Sequence, residues 1–505
     1  MKSTLHDIVN TAVSSKLTCQ QKLFNLANIA ERLVDPEEVL GYSEKETEYI
    51  EKGMICDLNE GYAIYRPRYI VPDYMSFLKH GCKFLDIRPP EDLDELLDNL
   101  LIFYHHVPSI TSFPVFIGPL DLMIDPFIND EKYDYIKIKR FLNHIDKTIT
   151  DSFCHADIGP KATNAGKMIL KAIVELENPT PNMTLRYDPD LTDPDFAQKA
   201  AAACLKVSKP SFSNEKMYRK EMGEHEIVSC YNALPSAGGA YTLPRLRLGT
   251  IAQGTSSLDE LLNQRIPDVS ETMLSMMDKR IKFLVEKSNF FESSFLVSEG
   301  FIKRENFTAM FGIVGLAEAV NHILYKEKKD EHFGMSSYGD DIAHKIMRKI
   351  QSIVNNHKGI YVERTNNRYL LHGQVGANLS HEDYSNTPAH RVPVGDEPSL
   401  PKHIKQAGQF HKYFESGTGD LFAFDQTYTD KPEAILDIIN GAMDTGYRYI
   451  TTYLENTDLI RVTGYLIKKS EAQKVADGKV VLRDTAIMGE GTNQNAKVFK
   501  RKIRR

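Results

Sequence analysis

A chain of 505 residues, 42% apolar and 26% charged, has an ordinary globular composition and enough length for several cores or one large barrel. Its net charge of −7 argues against a dedicated nucleic-acid binder, which needs a basic face. No apolar run approaches the roughly 20 residues of a membrane span, and Leu5, Ile8, Val9, Ala12 and Val13 form a helical stripe instead of a signal-peptide core, so the expected location is the cytoplasm.

Residues 1–105 read as mainly helical. Residues 20–33 carry a helical apolar stripe that Pro36 closes, and residues 91–103 form a second amphipathic helix. Residues 106–450 alternate helices with short strands. Pro and Gly punctuation predicts a strand and turns over 109–127. Residues 151–174 open as a loop holding Cys154, His155 and Asp157, then turn helical, and polar residues 186–193 predict a surface connection. In 227–250 a short β-type run leads into Cys230, a small-residue loop follows at 236–240, and 241–243 read as a strand ended by Pro244. Helices dominate 256–326 with a break at 307–315. Residues 361–371 are strand-like, 382–397 loop-like, and helices lead to 443. Residues 446–454 alternate as a strand. The last region, 451–505, holds a strand-like run at 461–467 and a tail with six Lys or Arg among its final nine residues, expected to be solvated. Helices interleaved with short buried strands mean an α/β fold.

The six cysteines, Cys19, Cys56, Cys82, Cys154, Cys204 and Cys230, include no Cys-x-x-Cys pair, which argues against a zinc ribbon, a ferredoxin-type cluster or a disulfide scaffold. His105 and His106 lack carboxylates at ligand spacing, so no metal site is expected. Gly417 and Gly419 make a turn too short for a phosphate-binding loop.

One pentapeptide stands out, Arg461-Val462-Thr463-Gly464-Tyr465. A glycine between strand-like residues ordinarily marks a bulge or a close backbone approach. Here the neighbours matter: RVxGY near a C-terminus resembles the signature of glycyl radical enzymes. Four such positions recur by chance in only about one in several hundred chains of this length. The chemistry also asks for glycine. A radical on an α-carbon gains from delocalisation into the flanking amides, which needs a planar centre that a Cβ would crowd. The resemblance implies radical storage on Gly464, with Arg461 and Tyr465 supporting its loop. Gly464→Ala should then abolish activity and leave the fold largely intact.

The resemblance further implies that the hole passes to a cysteine, whose thiyl radical abstracts hydrogen from substrate and whose thiol must come within about 4 Å of the glycine. Cys230, in a Gly/Ala-rich loop between strands, is the expected thiyl residue, with Cys154 as the rival. The run from Cys230 through Gly238-Gly239 to Thr242-Leu243-Pro244-Arg245-Leu246 resembles the thiyl loop and following strand of anaerobic (class III) ribonucleotide reductases. Residues 311–318 are similar to a helical segment of those enzymes, and Tyr384-Ser385-Asn386, His390, Pro393-Val394 and His411-Lys412 follow in the same order. The reductases carry two cysteine pairs for zinc just before the radical glycine, whereas residues 453–460 hold none, and no room is expected for an N-terminal ATP-binding domain. The chain is therefore identified as a member of the shorter YjjI-type branch.

That resemblance implies a ten-stranded α/β barrel of two half-barrels surrounded by helices, with Gly464 and Cys230 on opposed loops at its centre. It implies no permanently bound cofactor. The glycyl radical is instead installed by a separate radical-SAM activating enzyme, using S-adenosylmethionine and an iron–sulfur cluster for which this chain lacks the cysteines. Expected pocket residues are Tyr231, Asn232, Cys154, His155, Tyr384, Asn386 and His390, with His155 and Asp157 as a candidate acid–base pair. The expected activity is hydrogen abstraction from a small polar organic substrate, by a lyase or an oxidoreductase. A reductase-like enzyme without zinc and a non-catalytic relic are the alternatives. The sequence leaves open the substrate and whether the chain forms a homodimer.

Overall fold

Three strand–helix–strand passages build a five-stranded sheet in the computed structural model, which describes residues 2–31, 33, 36–56, 64–375 and 387–504. Two run consecutively, from His155–Ile158 through helix Asn164–Leu176 to Asn182–Tyr187, and on through helix Pro194–Val207 to Ser211–Asn214. The third goes from Asp420–Phe424 through helix Pro432–Asp444 to Tyr449–Leu454. Strands within a passage are parallel, as a crossover helix requires, and the two groups meet antiparallel where Tyr449–Leu454 pairs with Ser211–Asn214. The first two crossover helices begin where a side chain can satisfy the free N–H groups of the first turn, whereas Pro432–Asp444 has no side-chain cap and opens on a proline. Thr163 accepts from Gly166 at 2.9 Å and Asp193 from Phe196 at 3.0 Å.

Both faces of this sheet are buried, yet its strands alternate polar and apolar residues. Register places His155 beside Asn182, Asp157 beside Thr184, and Arg186 beside Ser213, so one face is polar across three strands. It gives way to a small apolar cluster at Leu421, Ala423 and Tyr453. The other face carries Ala156, Met183, Leu185, Phe212 and Ile450 and joins the apolar core. A second group of strands lies across the interior. One sheet runs Ile55–Cys56, Arg245–Arg247, Met310–Val314, Leu370–Gly373, and a smaller one runs Phe307–Thr308, Gly238–Ala240, Tyr69–Val71. Two hairpins complete the strands, His225–Val228 with Asn232–Pro235 and Leu459–Arg461 with Leu466–Lys468. One apolar core reaches from Tyr49 to Leu466 and includes residues of every sheet. Among the described residues no helix is long and apolar enough to cross a membrane.

The α/β class stands, with helices around sheets, but several local expectations change. Residues 186–193 do not simply cross the surface: Arg186 and Tyr187 belong to a buried strand, and Arg186 is forked onto Glu215 by two 2.9 Å bonds. His155 and Asp157 sit on a strand, not in a loop. Residues 310–314, likened to a helix, form a strand, and the helix starts at Leu316 after Gly315. Residues 241–243 join two strands rather than forming one. Lys497, Lys500, Lys502 and Arg504 of the basic tail are exposed to solvent as expected, but its main chain is docked. Ile503 donates to the Ala423 carbonyl at 2.9 Å and Arg504 accepts from Leu400 at 2.8 Å, covering the open edge of Asp420–Phe424.

The C-terminal segment is tied to the body by Arg483, buried against Asp146 of helix Glu131–Thr148 and against Glu471. Asp146 also accepts the Thr180 N–H at 3.1 Å. Removing one partner of a buried pair leaves charge uncompensated, so Asp146→Ala is expected to cost about 3 kcal/mol in urea unfolding. A loss under about 1 kcal/mol would show that the pair does not hold the segment.

Candidate active site

Cys230 occupies the middle of a three-residue tip, Ser229 to Tyr231, on the hairpin His225–Val228/Asn232–Pro235. Ser229 has φ +63°, which turns the chain sharply, and Cys230 N–H closes the tip onto the Val228 carbonyl at 2.6 Å. The hairpin is riveted to the polar face of the five-stranded sheet. Asp157 accepts the Ile227 N–H at 2.8 Å, Arg186 reaches Glu226 at 3.2 Å, and His155 Nδ1 bonds the Ser229 carbonyl at 3.1 Å. Across the tip, Gly417 (φ +123°) approaches so closely that a Cβ there would overlap the Tyr231 carbonyl.

Gly464 lies on the tip of the second hairpin, where Val462 N–H donates to the Tyr465 carbonyl at 3.0 Å. Its own carbonyl receives two donors, Asn182 Nδ2 at 2.6 Å and an Arg461 terminal nitrogen at 2.9 Å. Arg461 is fully buried and also donates to Asn182 Oδ1 at 2.9 Å and to the Ser208 carbonyl at 3.0 Å. Arg501, in the tail, donates to the carbonyls of Arg461 and Val462, both at 3.0 Å. Tyr465 packs its ring 4.8 Å from that of Phe153.

The two tips meet. A Cβ built on Gly464 would overlap the Cβ and Sγ of Cys230 and stand 3.0 Å from its α-carbon. The thiol sulfur therefore lies within about 4 Å of the Gly464 α-carbon, in van der Waals contact. Burial pushes the Cys230 thiol up to about 11, against the pull of Ser229, Arg461, Arg68 and Arg391, so it is an S–H at neutral pH.

The other predicted residues divide. Tyr231 is buried beside Cys230, its ring stacked 5.7 Å from that of His372, with the Arg391 guanidinium 5.6 Å from its centre. Asn232 spends its amide on the Val228 carbonyl at 2.7 Å, clasping the hairpin. Cys154 is buried at the start of the strand His155–Ile158, and its carbonyl accepts the Asn182 N–H at 2.8 Å. The atoms nearest a Cβ on Gly464 all belong to Cys230 and none to Cys154. His155 uses Nε2 on Thr184 at 2.8 Å and stands 3.8 Å from Asp157, too far for a hydrogen bond. Burial pushes His155 down to about 3, so the expected acid–base pair is a neutral imidazole holding the Cys230 tip. Tyr384 and Asn386 lie outside the described residues.

His390 is buried in a network that the sequence did not single out. Asp420 Oδ2 faces His390 Nε2 at 3.1 Å and His411 Nε2 at 2.8 Å, and the three ligand-type atoms lie within 4.8 Å of one another. His411 Nδ1 accepts the Arg448 N–H at 3.0 Å, so that ring carries its own hydrogen on Nε2, aimed at the carboxylate. The protonated nitrogen has no lone pair for a cation, and the cluster is a hydrogen-bond network. Burial alone would raise Asp420, but the two imidazoles outweigh it and hold the carboxyl well below its ordinary range. Beside this network a cavity of about 260 Å³ opens between Arg391, His403, Asp420 and Thr463, the residue before Gly464. Asn182, Arg391 and Asp420 are the polar residues that sequence reasoning missed.

This fold is that of the glycyl radical enzymes. An anaerobic ribonucleotide reductase from Thermotoga maritima, solved in complex with dATP and CTP, matches with a TM-score of 0.72 at 12% identity, over 94% of this chain and 93% of its own. Hydroxyproline dehydratase from Clostridioides difficile matches with a TM-score of 0.67 at 11% identity, over 96% and 89%. At those identities the likeness is one of fold alone. Sequence carries the finer assignment. Residues 17–504 match the family described as "Glycyl radical enzyme YjjI-like". The chain is 61% identical over 505 residues to an uncharacterized protein of Haemophilus influenzae, covering 98% of it. It is 38% identical over 460 residues to the uncharacterized protein YjjI of Escherichia coli, covering 90% of this chain and 88% of that one. The chain belongs to the YjjI-like family of glycyl radical enzymes.

Contact this close changes what substitutions report. The methyl of Gly464→Ala meets backbone-proximal atoms of Cys230, so one tip must shift, at about 1–3 kcal/mol by chemical denaturation. That variant therefore perturbs the fold as well as the α-carbon, contrary to the expectation from sequence. Iodoacetamide at pH 7.5 is expected to label the exposed Cys19 first and Cys230 more slowly, because the Cys230 thiol is only partly exposed and its raised pKa leaves little thiolate. Mass spectrometry of the labelled peptides checks this, and labelling of Cys230 as fast as Cys19 would contradict the protonated thiol.

Proposed function

We propose that this protein stores a radical on Gly464 and uses it, through Cys230, to abstract hydrogen from a small polar substrate. The observation that carries the reading is the contact itself: the α-carbon of Gly464 touches the sulfur of Cys230 with no atom between them. In the first step a radical-SAM activating enzyme removes one α-hydrogen from Gly464. The α-carbon then takes the hydrogen atom of the Cys230 S–H, restoring glycine and leaving a thiyl radical. The thiyl takes a hydrogen atom from a substrate C–H, re-forming S–H and a substrate radical. After the substrate bond is rearranged or broken, the product radical recovers its hydrogen from Cys230. Atoms and spin balance at every step, and no proton needs to move between Gly464 and Cys230.

The surroundings suit this use. A thiol raised to about 11 keeps its hydrogen at physiological pH, which a hydrogen-atom donor needs and a nucleophile does not. The donors from Asn182 and Arg461 polarise the Gly464 carbonyl, into which an α-carbon spin delocalises. We assign both as positioning residues that hold the α-carbon planar and facing sulfur. We also read the four- and five-stranded sheets, with the segment at Ile117 as a tenth strand, as a ten-stranded barrel around the two tips. Main-chain bonds from Ile117 to His155 and from Gly373 to Gly417, each 2.8 Å, support closure at two seams.

Anaerobic incubation with the activase, S-adenosylmethionine and a reductant is expected to give a glycine-centred doublet by electron spin resonance, and air should then cleave the chain at Gly464. In D₂O the wild-type doublet should collapse as the Gly464 hydrogen exchanges through Cys230, while Cys230→Ser keeps its doublet. No doublet with a competent activase, or equal exchange in Cys230→Ser, would sink the proposal.

A further inference from the structure

The cavity beside the Gly464 tip contains a buried cation that is only partly paired among the described residues. Two arginines line it, Arg391 and Arg501. Arg501 is spent, because its terminal nitrogens donate to the Tyr453 hydroxyl and to the carbonyls of Arg461 and Val462. Arg391 is not. It is only 7% exposed, and its Nε donates to the Gly419 carbonyl at 2.6 Å. Both terminal nitrogens lack a hydrogen-bond partner among the described residues. Burial presses its pKa downward, but a guanidinium stays protonated at any working pH. Two unpaired N–H-bearing nitrogens on a buried charge are costly to leave unfilled, and they form a planar fork that fits an oxyanion.

The three acidic groups of the cavity do not take that fork. Glu318 accepts the Thr387 N–H at 2.9 Å and the Thr387 hydroxyl. Asp420, the acid on the adjacent strand, commits Oδ2 to two imidazoles and makes no ion pair with Arg391 within 4.0 Å. Glu397 turns toward Gly395 N–H at 2.9 Å and Arg504 at 3.6 Å. The fork is close to the reaction centre: Arg391 lies over the ring of Tyr231, the residue after Cys230, and the same cavity is walled by Thr463, the residue before Gly464. At about 260 Å³ the space falls just under the roughly 300–1,000 Å³ of most small-molecule sites, which favours a compact occupant.

We propose that Arg391 is the anion-binding residue of the substrate site, and that the substrate is a compact oxyanion-bearing molecule, a carboxylate or a phosphate ester. The oxyanion docks on the two terminal nitrogens, which turns the rest of the molecule toward Cys230. This deepens the reading above and rests on it for the reaction, but the binding claim does not need the radical.

Isothermal titration of the unactivated full chain with sodium acetate, inorganic phosphate and glycerol tests the binding claim directly. One or both anions are expected to bind at a single site and raise Tm, glycerol is not, and Arg391→Gln should weaken the anion by about tenfold or more. Arg391→Lys keeps the charge but loses the fork, and is expected to bind between the two. It is read alone if the glutamine variant does not fold. Tighter acetate assigns a carboxylate substrate and tighter phosphate a phosphate ester. The proposal is overturned if neither anion binds, if glycerol binds as well, or if the Arg391 variants bind as wild type does. A missing spin-resonance doublet would leave these results standing, so the two proposals fail separately.

Discussion

A glycine α-carbon can lie against a cysteine sulfur only if no side chain stands on the glycine, and the interior of this protein is arranged to bring about that one contact. Two hairpins approach tip to tip, and each tip is short: three residues around Cys230, four around Gly464. Short tips cannot be placed by apolar packing alone, because they expose main-chain groups on every side. Their carbonyls must be matched by donors, and those donors then fix position to within a fraction of an ångström. Asn182 is central to this. Its one amide serves the Ser229 carbonyl at 3.2 Å and the Gly464 carbonyl at 2.6 Å, so a single side chain spans both tips.

This requirement explains the odd character of the five-stranded sheet. A sheet buried on both faces is ordinarily apolar on both. Here one face carries His155, Asp157, Asn182, Thr184 and Arg186, because that face receives two polar hairpin tips instead of a second apolar layer. Each polar group is affordable only while paired, which makes the arrangement specific as well as stabilising. The tail follows the same logic. Arg501 serves two carbonyls at the base of the Gly464 tip, and Ile503 closes the sheet edge nearby.

The same feature decided what could be read from sequence. The helices with apolar stripes were readable, and so was the strand at 449–454, where aromatic and β-branched residues dominate. Strands such as Asn182–Tyr187 and Ser211–Asn214 were not, since alternating Asn, Thr, Arg and Ser look like a solvated edge when their real partner is a polar interior. Asp420–Phe424 was hidden between helices for want of length. Gly464 and Cys230 were found because the resemblance rests on local motifs, while Asn182 and Arg391 act through space, far from either motif in the chain. A charged residue directly after His390, in a loop already of interest, was the available signal for Arg391. The tail's composition gave no hint of its packing, because Lys and Arg read as solvent-seeking whether or not carbonyls await them.

Three imidazoles and the thiol around the two tips are held far from their ordinary titration range. Burial pushes His155 and His372 down to about 3 and His411 to about 4, so all three rings are neutral at physiological pH. The same burial keeps the Cys230 thiol protonated. A site built for general acid–base catalysis would place its groups near the working pH, poised to exchange. Here the imidazoles and thiol around the two tips sit several pH units from it, on the side that removes charge. Heterolytic chemistry gains nothing from such surroundings, but a hydrogen atom carries no net charge and needs no solvent to follow it. Desolvation would therefore cost the proposed atom transfer little while suppressing competing proton transfers, so a contact between Gly464 and Cys230 inside the fold suits that reading.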